Sequence, residues 1–221
     1  MRSLAQPEVL KLAGTGALAS ALACYPRLSL WPHRNYPIWY LEAIIFLGGI
    51  FLWAFVFAWH TKYAQRRVVA FQMELTPFVL ATLAGIVAAV ILHLALDPSL
   101  RLKTPEDYPA RLDQWIAMTL FSLALTQLFL VFAPFAWSLR VFQSRPVAIL
   151  FTVLFGVFVM MLKTRTSLTP LPSSLFWALI LARIVVGGLS LYFYWRGGLM
   201  LASWWVLLLQ ARHLLHLGGS G

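Results

Sequence analysis

Charge is what this sequence has least of. Only 11% of its 221 residues are Asp, Glu, Lys or Arg, whereas a soluble domain carries about 25%. Seven acidic residues and one cysteine are all it holds of those types. So few charges cannot cover a water-facing surface. A chain that is 61% hydrophobic, with a mean hydropathy of +0.80, would expose more apolar area than a dispersed soluble protein tolerates. Cys24 alone excludes an internal disulfide and a Cys-rich zinc site. Also missing are a glycine-rich phosphate loop, a Gly-x-Ser-x-Gly elbow and a His-Glu-x-x-His pair. The 17 basic residues give a net charge of +10. They fall singly or in small groups between apolar runs, which suits anionic lipid headgroups and does not suit nucleic acid.

What is present is apolar sequence in lengths that match hydrocarbon. A bilayer core about 30 Å thick takes about 20 helical residues to cross. Six stretches meet or approach that length: 39–59, 75–97, 115–137, 146–163, 175–195 and 197–217. The expected fold is therefore all-α, a polytopic transmembrane helix bundle of six full spans over 39–217. An N-terminal segment, 1–38, precedes it and a flexible tail, 218–221, follows. Trp39 and Trp59, Trp115 and Trp137, and Trp177 and Trp195 bracket three of the spans, as indole rings do at headgroup boundaries. Trp53, Trp204 and Trp205 read as core filler. Pro98, Pro105 and Pro109 punctuate the longest loop, Arg145-Pro146 opens a span, and Thr169 to Ser174 reads as a turn ending in a helix cap. Gly197-Gly198 reads as a hinge.

Leu12 to Tyr25 is apolar but rich in Gly and Ala, and reads as a short helix in or on the membrane. Ala21-Leu22-Ala23 ahead of Cys24 resembles a signal-peptidase site, but Glu8 and Lys11 interrupt the approach, so the segment is expected to be retained. Basic residues divide equally between the two sides, which leaves the positive-inside rule without an imbalance to act on. The Lys62, Arg66 and Arg67 cluster favours its own side as cytoplasmic. An energy-conserving membrane of the bacterial inner type is the expected location.

Ionisable groups at hydrocarbon depth are the first place to look for function. Arg183 stands mid-way along its span. Glu42 enters from the same side with an offset of about 8 Å at 1.5 Å per residue, within reach of two long side chains, so Glu42 and Arg183 are the expected buried ion pair, acting first as a lock between helices. Thr119, Ser122 and Thr126, with Gln127 beside them, form a polar intramembrane stripe, and Ala81, Gly85 and Ala89 a small-residue face. Both point to helix packing. His60 and His93 lie at opposite ends of their spans, which excludes them as two axial ligands of one haem. His93, Asp97 and His213 share a depth, and two imidazoles with one carboxylate are a donor set for zinc that leaves a place for water. The bland reading is of solvated side chains near an interface, and no metal-binding spacing supports the other.

Three places resemble the CAAX-protease and bacteriocin-processing family of intramembrane proteases, over 118–214, a little under half the chain. Ala133-Pro134-Phe135-Ala136-Trp137-Ser138-Leu139-Arg140-Val141-Phe142 is similar to its first motif region. Leu154-Phe155-Gly156-Val157-Phe158 is similar to its next span, and Gly187-Gly188 with Leu191 through Leu199 to its closing hairpin. The resemblance implies an intramembrane protease scaffold, but its working groups are not here. Arg140 matches the arginine of the first motif, while Phe135 and Ala136 stand where the family has paired glutamates. Val159 or Leu162 stands where the second motif has histidine. In the last helix Leu207 or Gln210 takes the histidine position, with His213 out of register. Apolar side chains can neither activate water nor polarise a carbonyl. The likeness therefore implies a degenerate relative without peptidase activity.

The function expected is that of a non-catalytic membrane protein, a subunit or scaffold of a membrane assembly or a lipid-facing adaptor, without a cofactor. Its partners are then anionic lipids and other membrane subunits. Two alternatives stand beside it: an intramembrane metallopeptidase, using zinc, and a pigment- or cofactor-binding bundle suggested by the 15% aromatic content.

Overall fold

The computed structural model describes residue 4 and residues 6–30, 35–64, 68–69, 74–166 and 171–217. Arg66 and Arg67, the Thr169-Pro170 part of the expected turn and the tail 218–221 lie outside the described residues. Those described are helical almost throughout: α1 (Pro7–Ser29), α2 (Ile38–Ala64), α3 (Leu75–Ala95), α4 (Asp97–Lys103), α5 (Leu112–Phe142), α6 (Arg145–Thr166), α7 (Ser173–Ala211) and the short α8 (Leu214–Leu217). Among the described residues the one β feature is an isolated antiparallel bridge between Val69 and Gly198. The protein is all-α and polytopic. Six helices, α1, α2, α3, α5, α6 and α7, are long and apolar enough to cross a membrane. Large side chains point outward along them. On α3, Leu83, Val87, Ile91 and Leu94 are each more than half exposed, and hydrocarbon is the solvent such a face requires.

Six helices pass the test of length and hydropathy, as six stretches do in the sequence, but α1 is now among them and the stretches 175–195 and 197–217 are counted together as α7. The N-terminal helix is 23 residues long, not a short segment over 12–25. Pro7 opens it, where a missing N–H costs nothing, and it runs on to Ser29. Gly and Ala had diluted its hydropathy without weakening the helix. At the other end α7 is a single run of 39 residues broken by non-helical backbone at Gly197 and Gly198. Gly198 has φ 65° and ψ −156°, a conformation only glycine adopts cheaply. The expected hinge is there, and it turns the chain between two helical arms.

The chain divides into two compact units, one of residues 1–68 and 116–148, the other of 69–115 and 149–221. In the first, α1 and α2 pack closely because glycine faces large or small partners at the contact. A Cβ on Gly16 would lie 3.0 Å from the Trp53 ring, and one on Gly49 3.2 Å from the Ala17 Cβ. Trp53 Nε1 donates to Ser20 Oγ at 3.0 Å, giving a buried indole N–H the partner it needs. Wide, π-type turns occupy Val56–Ala64 at the end of α2, and Ser122–Thr126 and Leu128–Phe132 within α5. Pro134 follows these turns. A proline in mid-helix removes one N–H and crowds the preceding turn, and the widened backbone ahead of it fits the continuation of α5 to Phe142 instead of the expected stop near 137. Gln143 then closes the helix in the left-handed region, at φ 50°, its N–H donating to Leu139 O. Ser138 Oγ donates to Pro134 O at 2.7 Å.

In the second unit, Ala81, Gly85 and Ala89 are buried on α3, where the second arm of α7 packs on them. Trp204 Nε1 donates to Thr82 Oγ1 at 2.9 Å and Trp205 Nε1 to Ser190 Oγ at 3.0 Å. Trp205 is fully buried, as is Tyr194. The tryptophan rulers hold in part. Trp39 and Trp177 are exposed, but Trp59 is buried, because the wide turns at the end of α2 belong to the packed interior of the first unit.

Candidate functional site

A polar cluster gathers at one end of the second unit. It begins at the break between α3 and α4: Leu96 is a distorted residue of the right-handed helical region, at φ −112° and ψ −43°, and Asp97-Pro98 starts the next helix. His93, in the last turn of α3, keeps its Nδ1 3.7 Å from Asp97 Oδ2 across that break. Asp97 is only 1% exposed. A buried carboxylate needs donors, and two arrive from far along the chain. The Tyr108 hydroxyl donates to Oδ1 at 2.9 Å, and Arg212 Nε donates to Oδ2 at 3.2 Å. Arg212 also donates from Nη1 to Leu209 O at 2.9 Å, capping carbonyls left open at the end of α7. The loop carrying Tyr108 is tied to α6 by Lys163 Nζ and Asp107 Oδ2, 2.7 Å apart. The Arg101 guanidinium lies 5.2 Å from the Tyr108 ring centre, and His213 meets the same ring edge-on at 5.2 Å.

Electrostatics follow from that crowding. Burial pushes the Tyr108 phenol above the ordinary tyrosine range, and Asp97 pushes it the same way, so it remains a donor. Burial, then the Arg212 charge, drive His213 down from 6.5 to about 4, with Arg101 and His93 adding and Asp97 opposing. The imidazole is neutral at pH 7. Its folded value lies below its unfolded one, so its share of stability is present above pH 6.5 and is lost as pH falls toward 4. At about 1.36 kcal/mol per unit, the loss is on the order of 3 kcal/mol. The thermal midpoint in detergent should fall through that window. His213→Phe, which keeps the edge contact, should flatten the fall, and an unchanged slope in that variant would remove His213 as its source.

The sequence placed His93, Asp97 and His213 at one depth, and all three join this cluster. Tyr108, Arg101 and Arg212 escaped it, although Arg212 is the neighbour of His213. Among the described residues no three His, Cys, Asp or Glu are arranged to hold a metal ion. The reason is visible at Asp97, whose oxygens accept from Tyr108 and from a guanidinium that would repel a dication.

In the first unit, Phe135 and Ala136 are fully buried. The Arg140 guanidinium lies 4.3 Å from the Trp59 ring centre, a cation–π contact. His60 is buried with its ring 6.2 Å from that of Phe135. No family model matches the chain, and no curated protein or solved structure matches it either. What each residue does must therefore be read from its surroundings.

Of the polar stripe, Thr119 and Gln127 are buried, and Thr119 Oγ1 and Gln127 Oε1 find no hydrogen-bond partner among the described residues. Ser122 and Thr126, the first and last residues of the wide turn, are half-buried. Glu42 belongs to the first unit, with one carboxylate oxygen buried and without a hydrogen-bond partner among the described residues. Arg183 belongs to the second, where its guanidinium lies against Gly156 of α6. A Cβ on that glycine would come within 2.9 Å of Nη2.

Proposed function

We propose that this integral, multi-pass membrane protein is a non-catalytic subunit or scaffold of a membrane assembly, on a degenerate version of the CAAX-protease type of scaffold. The observation that supports the reading is the burial of the residues that the resemblance sets at the family's catalytic positions. Phe135 and Ala136, in place of two glutamates, are each 0% exposed, and Arg140 is held over Trp59. A general base must reach water and substrate, and these positions reach neither. The Asp97 cluster supports the same reading, since its carboxylate is engaged by Tyr108 and Arg212. The wide apolar faces are suited to lipid and to neighbouring subunits. Native mass spectrometry after mild detergent extraction tests it: a stoichiometric membrane partner is expected, and a particle that is monomeric in every mild detergent would defeat it.

One observation favours a second reading. His93 Nδ1 lies 3.7 Å from Asp97 and His213 is in the same cluster, so an intramembrane metallopeptidase using zinc would need Arg212 and Tyr108 to leave Asp97 first. Metal analysis of the purified protein decides it. One zinc per chain, lost in His93→Ala, would carry this reading, and no zinc would end it.

A further inference from the structure

Arg183 is a charge without an anion among the described residues of its own unit. It lies ten residues into α7, about 15 Å from the helix's first residue at 1.5 Å per residue, close to the middle of a hydrocarbon layer about 30 Å thick. Within its own unit it has no hydrogen bond or ion pair among the described residues. It has been given room instead of a partner, because Gly156 lets the guanidinium lie flat on the α6 backbone. The side chain is only partly covered. Around it α7 exposes Trp177, Leu181, Ile184 and Val185, and α6 exposes Leu150, Leu154 and Phe158. A cation at this depth is costly without an anion.

We infer that Arg183 is the docking point for a transmembrane helix of another polypeptide, one that bears a carboxylate at mid-bilayer depth. The inference rests on the assembly reading above and names the chemistry of the partner. Charge complementarity selects the carboxylate. Depth selects its carrier, because a phospholipid phosphate sits at the membrane surface, beyond the reach of an arginine side chain from the middle of the core. A side chain on a neighbouring helix brings the anion to the right level with its backbone already satisfied. The exposed apolar faces of α6 and α7 supply the packing surface on either side of the charge.

The test uses the full chain reconstituted in neutral phosphatidylcholine vesicles with a labelled 23-residue Leu/Ala transmembrane peptide carrying one central Glu. Energy transfer should report association about tenfold tighter than for the same peptide with Gln. The preference should vanish in Arg183→Gln and survive in Arg183→Lys, with the thermal midpoint of Arg183→Gln not lowered. Equal binding of the Glu and Gln peptides would overturn the inference. So would a preference that persists in Arg183→Gln, or loss of binding when phosphatidylglycerol or oleate is added, which would make a lipid the anion. Binding that appears only in Glu42→Gln would assign the counter-ion to this chain and overturn it too, as would a marked fall in midpoint in Arg183→Gln. Because the peptide is defined, failure here leaves the mass-spectrometric test of the assembly reading standing.

Discussion

Arg212→Leu is expected to lower the thermal midpoint of the detergent-solubilised protein by roughly 10 °C. The substitution removes the cation from a carboxylate that is 1% exposed, while the arginine itself is 18% exposed. Breaking one side of a buried ion pair costs about 3–5 kcal/mol, and a chain of this size loses about 2–4 °C per kcal/mol. The origin is specific: Asp97 would lose its guanidinium donor and keep the Tyr108 hydroxyl, with His93 3.7 Å away. Asp97→Asn in the Arg212→Leu background should therefore recover much of the loss, because an amide carries no charge and still accepts from the Tyr108 hydroxyl. If the two substitutions prove additive in a double-mutant cycle, Asp97 and Arg212 do not act together and the account of the cluster fails.

Gly85→Val should cost about 1–3 kcal/mol by overpacking, with the fall in midpoint measured in the same assay. The added Cβ would stand 2.7 Å from Leu208 Cδ1 and 2.9 Å from Leu208 Cβ. The second of these atoms cannot swing away, so α3 and the second arm of α7 must separate. Leu208→Ala creates the missing space and should restore most of the stability when combined with Gly85→Val. A Gly85→Val protein as stable as the parent would mean that the two helices are not held at this point.

Much of this packing is legible in residue order alone. Ala81, Gly85 and Ala89 recur every four residues, which in a regular helix puts them on one face, and that face is the buried one. Gly197-Gly198 reads as a break because it falls between two apolar runs, whereas Gly48-Gly49 and Gly187-Gly188 lie inside such runs and stay helical. Trp53 and Trp205 read correctly as interior residues. Trp59 does not, since an indole at the end of an apolar run looks the same whether it meets headgroups or a packed arginine. The stripe at 119–127 is buried at Thr119 and Gln127 and half-buried at Ser122 and Thr126. Its register assumed 3.6 residues per turn, whereas Ser122–Thr126 is a wide turn.

The candidate cluster was half legible. Depth along a helix follows from counting, so His93, Asp97 and His213 fell at one level. The arrival of Tyr108 and Arg212 at Asp97 depends on how the loop after α4 folds back and on where α7 ends, and no periodic signal encodes either. Those two residues decide the chemistry, because they turn a possible metal ligand into the centre of a hydrogen-bonded charge pair.

By itself the sequence determined that the chain is helical and lives in hydrocarbon, because length and hydropathy are summed along the backbone and need no knowledge of neighbours. Only the tertiary structure decided which polar side chains meet, which, like Arg183, have no partner among the described residues of their own unit, and which glycines carry a close contact. Those outcomes depend on rotation about each helix axis and on loop paths, which packing sets and composition does not.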